Sequence, residues 1–191
     1  MQDPCTTDEF QGCTRVTTVL APFSGLANIP LSVLNNAAER GTVVHRICEG
    51  YIMGYGVSIP DQYKGYVDSF LQWYEGKDFL PNPGRLYDKV NMITGECDAI
   101  WDSDDGNHLV DFKTSVREGK TWPLQGVAYK NLLELNGISV DRIIFVKLDK
   151  NGLEPTVYEY DYEQHEETWA RCLKVYRDFF DCKIIPFEEI I

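Results

Sequence analysis

An α/β protein is predicted by three features of the chain. Apolar residues recur at helical spacing over 36–55, two short segments alternate as strands at 95–101 and 108–113, and a helix-like stretch from Pro123 separates them from two more strand-like runs. At 191 residues the chain fits one domain, 1–191, with an irregular segment over 1–35 and a core over 36–191.

Each element has its own signal. Pro4, Pro22, Gly25 and Pro30 break the first 35 residues. From Asn36 to about Tyr55 a helix carries Ala37, Ala38, Val44, Ile47, Cys48, Tyr51 and Ile52 on one side. A second helix follows Pro60, with Val67, Phe70, Leu71 and Tyr74, before Pro81 and Pro83 interrupt the chain. Strands are expected near 85–92, 95–101 and 108–113, the last two flanking a turn marked by Asp105-Gly106. A helix opens at Pro123 and stops at Asn136-Gly137. Arg142–Lys147 and Thr156–Tyr160 read as strands, and Asp161 caps a last helix buried through Trp169, Cys172, Leu173, Tyr176 and Phe180.

Composition narrows the function. With 43% hydrophobic and 13% aromatic residues the chain is globular, and no long apolar run or N-terminal signal pattern occurs, so a soluble, intracellular (cytoplasmic) protein with no membrane contact is expected. The net charge of −12 argues against avid nonspecific nucleic-acid binding. The charge is uneven: Lys113, Arg117, Lys120 and Lys130, with Arg40 and Arg46 around His45, form a local basic rim suited to phosphate. Six cysteines at 5, 13, 48, 97, 172 and 182 contain no C-x-x-C, a spacing that argues against a zinc ribbon or an iron–sulfur cluster. Cys48 and Cys97 read as buried thiols. The absence of G-x-x-x-x-G-K-[ST] and G-x-S-x-G removes support for P-loop and serine hydrolysis.

The chemistry concentrates in two strands. Alternation puts Cys97, Ala99 and Trp101 on an apolar face with Val110 and Phe112, and leaves Glu96, Asp98, Asp111 and Lys113 on the other. Registers that respect this set Asp98 opposite Asp111, or one step away opposite Lys113. Two carboxylates at that distance repel by about 4 kcal/mol near a protein surface, which a divalent cation would relieve. Acid pairs beside a hairpin are often only a solvated face, and a lone D-x-K is common. Other positions strengthen the metal reading. His45 lies one turn after Gly41, a glycine expected to let the helix approach the sheet closely. Gln125 and Tyr129 are one turn apart on one helix face. The acidic turn at 102–106 fails as a calcium loop, because its glycine and Lys113 fall where ligands belong.

In this order, Gly41-x-x-x-His45, Gly95-x-x-Asp98, Asp111-Phe112-Lys113 and Gln125-x-x-x-Tyr129 resemble the PD-(D/E)xK nuclease superfamily. The similarity covers about 33–148 and is nearest to its RecB-like branch, which includes CRISPR-associated and phage recombination exonucleases; Ala38-Glu39-Arg40-Gly41-Thr42-Val43-Val44-His45 is typical of that branch. The resemblance implies a restriction-endonuclease-like core, a central mixed sheet flanked by helices, and a Mg²⁺ or Mn²⁺ site. By it, Asp98, Asp111, His45 and the Phe112 carbonyl bind metal, Lys113 orients or activates the attacking water, and Gln125 and Tyr129 position the strand. The chain departs from the pattern in three ways. Asp111 stands where many relatives have Glu, only Asp88 could replace a glutamate common upstream of Gly95, and the four-cysteine cluster pattern of some members is missing.

The function expected is a metal-dependent DNA exonuclease acting on linear or single-stranded ends, of phage or mobile-element character, working alone, as a homo-oligomer or with a recombination partner. A structure-specific endonuclease uses the same site. A catalytically weak nuclease-fold binding or scaffold subunit is the reading from a different class, suggested by the charge of −12 and the missing glutamate.

Overall fold

The computed structural model describes residues 12–180. A short strand β1 (Thr14–Arg15) leads into α1 (Val16–Leu20) and a 3-10 turn (Ala21–Phe23), followed by the long helix α2 (Leu31–Ile52). A 3-10 turn (Asp61–Tyr63) opens α3 (Lys64–Tyr74). Four strands then follow: β2 (Asp78–Leu80), β3 (Leu86–Asp88), β4 (Ile93–Gly95) and β5 (Ala99–Ser103). The chain continues through β6 (Gly106–Lys113), α4 (Trp122–Leu135), β7 (Arg142–Lys147), β8 (Thr156–Tyr160) and α5 (Tyr162–Phe179).

The strands form two mixed sheets. One has the order β1-β4-β3, the other β2-β5-β6-β7-β8. In the larger sheet β6 and β7 are parallel, joined through α4, and the other neighbours are antiparallel. Both faces are covered. Ala99, Val110, Phe112, Ile144 and Val146 pack against Val44 and Cys48 of α2 and Phe70 and Trp73 of α3. Ile100, Leu109, Ile143 and Phe145 pack against α1, α4 and α5. This double cover explains why β6 and β7 are apolar on successive residues. Among the described residues, no helix is long and apolar enough to cross a membrane.

Several expectations need correction. The segment over 1–35 is not irregular throughout: Val16, Val19 and Leu20 are buried in the core. Their stripe is a single turn, too short to stand out among prolines and glycines. Helix α2 starts at Leu31, directly after Pro30, whose fixed φ suits the helix entrance, and it ends before 55, where Gly54 takes a φ of 72°. The strand expected at 85–92 stops at Asp88, whose carboxylate caps the following turn.

The largest difference lies at 95–101. This stretch is two strands in two sheets, β4 and β5, joined by a bend over 96–98. Asn82 holds the bend, its Nδ2 donating to the carbonyls of Cys97 (3.2 Å) and Asp98 (3.1 Å). As a result Cys97 packs with Ile100 and Leu109, on the face opposite Ala99, Val110 and Phe112. β2 had no sequence signal of its own. Cys5 and Cys182 lie outside the described residues, while Cys13, Cys48 and Cys97 are buried as thiols, outside any disulfide.

Candidate metal centre and its cleft

β5 and β6 pair from Ala99↔Val110 to Ser103↔Gly106, with a two-residue turn between. Continued by one residue, this register brings Asp98 to Asp111, the first of the two pairings that alternation allows. Asp98 stands at the bend just before β5, where its backbone N–H donates to the Val110 carbonyl at 3.1 Å. Both acids line a polar cleft of about 420 Å³, together with His45, Lys113, Gln125 and Tyr129. Elements far apart in sequence thus bring all six of the predicted side chains to one place. The side chain of Phe112 is instead buried in the core, and only its backbone belongs to the site.

Two linked groups organise the cleft. In the first, His45 Nδ1 lies 2.8 Å from Asp98 Oδ1, and the Phe112 N–H donates to Asp98 Oδ2 at 2.6 Å. In the second, Lys113 Nζ sits 2.6 Å from Asp111 Oδ2 and donates to Gln125 Oε1 at 3.0 Å. Gln125 Nε2 donates to the Tyr129 hydroxyl at 2.9 Å and reaches Asp111 Oδ1 at 3.4 Å. Asp111 is the deepest charge, its side chain 5% exposed against 16% for Lys113 and 19% for Asp98. Its Oδ2 is buried without a well-angled hydrogen bond, so the nearby ammonium is an ion-pair partner and leaves lone-pair capacity unused.

Burial is the largest influence on the Asp111 carboxyl and raises it above the ordinary carboxylate range. The Asp98 charge acts in the same direction, and Lys113 and His45 oppose it. Burial alone would lower the His45 imidazole, but the charge and hydrogen bond of Asp98, with Asp111 behind it, raise it above its ordinary value. The sign of the pH effect follows. A base raised on folding contributes stability that is complete below the ordinary value of 6.5 and is lost as pH rises through the folded value. In metal-free buffer, the thermal stability margin of wild type over His45→Gln should therefore be largest in mild acid and shrink above neutrality. A margin independent of pH would contradict the His45–Asp98 ion pair.

The glycine expected to matter for His45 does not carry that role. A Cβ on Gly41 would meet only the Thr114 Oγ1, at 3.9 Å, an ordinary contact. Gly95 is the constrained position. A Cβ there would fall 2.6 Å and 2.9 Å from Tyr129 ring carbons and 3.0 Å from Leu132. Gly95→Ala should cost about 1–3 kcal/mol by overpacking and should displace Tyr129 from the cleft, which thermal unfolding and tyrosine fluorescence would report.

Further groups at the cleft had no clear sequence signal. Arg15, at the end of β1 just before α1, and Arg85 both line it, and Arg85 Nη2 pairs with Glu96 Oε2 at 3.2 Å. Glu96 belonged to the expected polar face, but without a role. Asp88, the candidate for the upstream glutamate, does not line the cleft. Its carboxylate accepts from the N–H groups of Val90 (2.9 Å) and Asn91 (2.8 Å). The basic rim is only partly built. Lys130 bonds Glu134 and the Val140 carbonyl and lies over the Tyr162 ring, while Arg117 and Lys120 are exposed.

Chemically, the cleft offers three carboxylates (Glu96, Asp98 and Asp111), an imidazole and a backbone N–H, with Lys113 against Asp111 and Arg85 against Glu96. Among the described residues, no group of three or more His, Cys, Asp or Glu side chains is placed to hold a metal ion. Mg²⁺ needs no such group: it commonly takes one or two carboxylates and fills its octahedron with water and phosphate oxygens. The underused Oδ2 of Asp111 beside Asp98 fits that requirement. No protein-family model matches the chain, and no similar curated protein is found.

Proposed function

We propose that this chain is a divalent-metal-dependent DNA exonuclease of the PD-(D/E)xK type, with a restriction-endonuclease-like core and RecB-like motifs. The observation that carries the reading is the convergence of His45, Asp98, Asp111, Lys113, Gln125 and Tyr129 on one polar cleft. The parallel β6–α4–β7 unit, with the acids on β6 and before β5, supports the same reading.

Asp98, Asp111 and the Phe112 carbonyl would hold Mg²⁺ or Mn²⁺. His45 Nδ1 is engaged by Asp98, so the imidazole would join the ligands of a shared ion only by giving up that contact; a nitrogen donor is softer than the carboxylates and would suit Mn²⁺ better than Mg²⁺. When bound, the ion supplies charge neutralisation at the scissile phosphate and a water that is nucleophilic at neutral pH. The protein's own groups do the rest. The Phe112 N–H and His45 orient Asp98. Gln125 accepts from Lys113 and so aims the ammonium at Asp111, where it can manage the proton of the attacking water. Tyr129, receiving a hydrogen bond from Gln125, keeps its own hydroxyl proton to donate to a phosphate oxygen. Burial, and then Asp111, push the Tyr129 phenol up, so this donor stays protonated.

The test is degradation of end-labelled linear and circular DNA with Mg²⁺, Mn²⁺ or EDTA. Loss of linear DNA with either metal, with circular DNA spared and EDTA abolishing the reaction, is expected. Cutting of circular DNA would favour an endonuclease. Inertness toward every substrate would favour a binding or scaffold subunit.

A further inference from the structure

Beside the metal cleft lies a second cavity, of about 450 Å³, whose character is the opposite. Leu20, Pro22, Leu26, Ala27 and Leu34 form its walls, and among the described residues no charged side chain lines it. Thr17 and Thr121 add hydroxyls. The two cavities are neighbours, with Thr17 and Gln125 lining both. Gln125 bonds Lys113, Asp111 and Tyr129 through its amide, so the head group serves the polar cleft.

A ligand spanning both spaces must carry anionic charge at one end and a flat or compact apolar group with a polar edge at the other. A phosphate cannot enter the apolar cavity without losing its solvation to uncharged walls. It belongs on the side of Lys113, Arg15 and Arg85. The volume falls within the usual range for small-molecule sites, about 300–1,000 Å³, and a cavity at the lower end of that range accepts a single unpaired nucleotide, not a base pair with its two backbones.

We propose that this apolar cavity receives the base of the nucleotide whose phosphate lies in the metal cleft, so that the protein engages an unpaired strand end by one splayed base. The proposal rests on the nuclease reading above and specifies the substrate as single-stranded or frayed DNA. The base packs between Leu20, Pro22 and Leu26, aliphatic faces that accept any of the four bases. Sequence tolerance follows, since aliphatic walls contact the faces of a base without a hydrogen-bond code.

The experiment compares single-stranded oligonucleotides carrying an ordinary or an abasic terminal nucleotide, at the 5′ end and at the 3′ end in turn. Wild type and Ala27→Trp, a substitution that fills the cavity from an exposed position, are assayed with Mn²⁺. At the end that is attacked, removing the base should raise the wild-type KM by about tenfold, the scale of burying the faces of one base against aliphatic walls. Ala27→Trp should raise KM similarly on ordinary DNA and show no further loss on the abasic end. Equal KM for abasic and ordinary ends in the wild type would overturn the proposal while leaving the nuclease reading standing. A wild type inactive on ordinary DNA would defeat the nuclease reading and this inference with it. Should Ala27→Trp unfold, the wild-type comparison of ends decides alone.

Discussion

Lys113→Ala should lower turnover by about 10²-fold or more, the usual scale for a positioned acid–base group. DNA affinity should change far less, since one lysine supplies a single phosphate-scale contact. Lys113→Arg should not rescue, because guanidinium remains protonated and cannot trade a proton. The geometry adds a stability effect that the mechanism alone would not give. Lys113 Nζ is the cation 2.6 Å from Asp111, and removing it leaves a buried carboxylate without its nearest counter-charge. Stranding a buried charge costs up to about 3–5 kcal/mol, although Asp111 can limit this by taking a proton, as its raised carboxyl favours. Thermal unfolding in EDTA should therefore show a clear loss for Lys113→Ala, and kinetics with Mn²⁺ should show the loss in kcat. Near-wild-type turnover would remove Lys113 from the chemistry.

Asp111→Asn should have the opposite combination, with activity abolished and the fold at least as stable. An amide retains the shape but supplies no anionic ligand. Asp111 is raised in the folded state, chiefly by burial, so its ionised form is a cost at neutral pH. The sign is that of an acid that binds protons more tightly when folded: wild-type stability grows as pH falls through the raised value. The variant should thus equal or exceed the wild type near neutrality, and the margin should close as the solution is acidified. The charge that Asp111→Asn leaves behind is Lys113, which stays bonded to Gln125 and is more exposed than Asp111, at 16% against 5%. That asymmetry is why removing the lysine should destabilise and removing the aspartate should not. A variant that is both inactive and strongly destabilised would mean that Asp111 is structural.

How much of this was legible in the sequence depends on how local each signal is. Arg142–Lys147 and Thr156–Tyr160 are strands at the residues expected, because β-branched and aromatic runs between turn residues need no tertiary help. Asp161 caps α5 as read, accepting from the Gln164 N–H. Alternation and the Asp105-Gly106 turn, both local, narrow the partner of Asp98 to Asp111 or Lys113, and the two-residue turn of the structure selects Asp111. The bend at 96–98 was invisible because it depends on Asn82, a residue in another segment. The contribution of Arg15 was hidden for a similar reason: α1 is one buried turn, and its stripe gains meaning only once α4 and α5 are packed over it. The steric demand at Gly95 likewise requires knowing that Tyr129 crosses there.

On the proposed reading, Asp98 and Asp111 share one divalent ion in this cleft. Crystals of the protein grown with Mn²⁺ and measured at the manganese absorption edge test it directly. An anomalous peak is expected between the two carboxylates, within coordination distance of both and of the Phe112 carbonyl, and it should disappear in Asp111→Asn. An empty cleft at saturating Mn²⁺, or a peak confined to the acidic turn at 102–105, would contradict it.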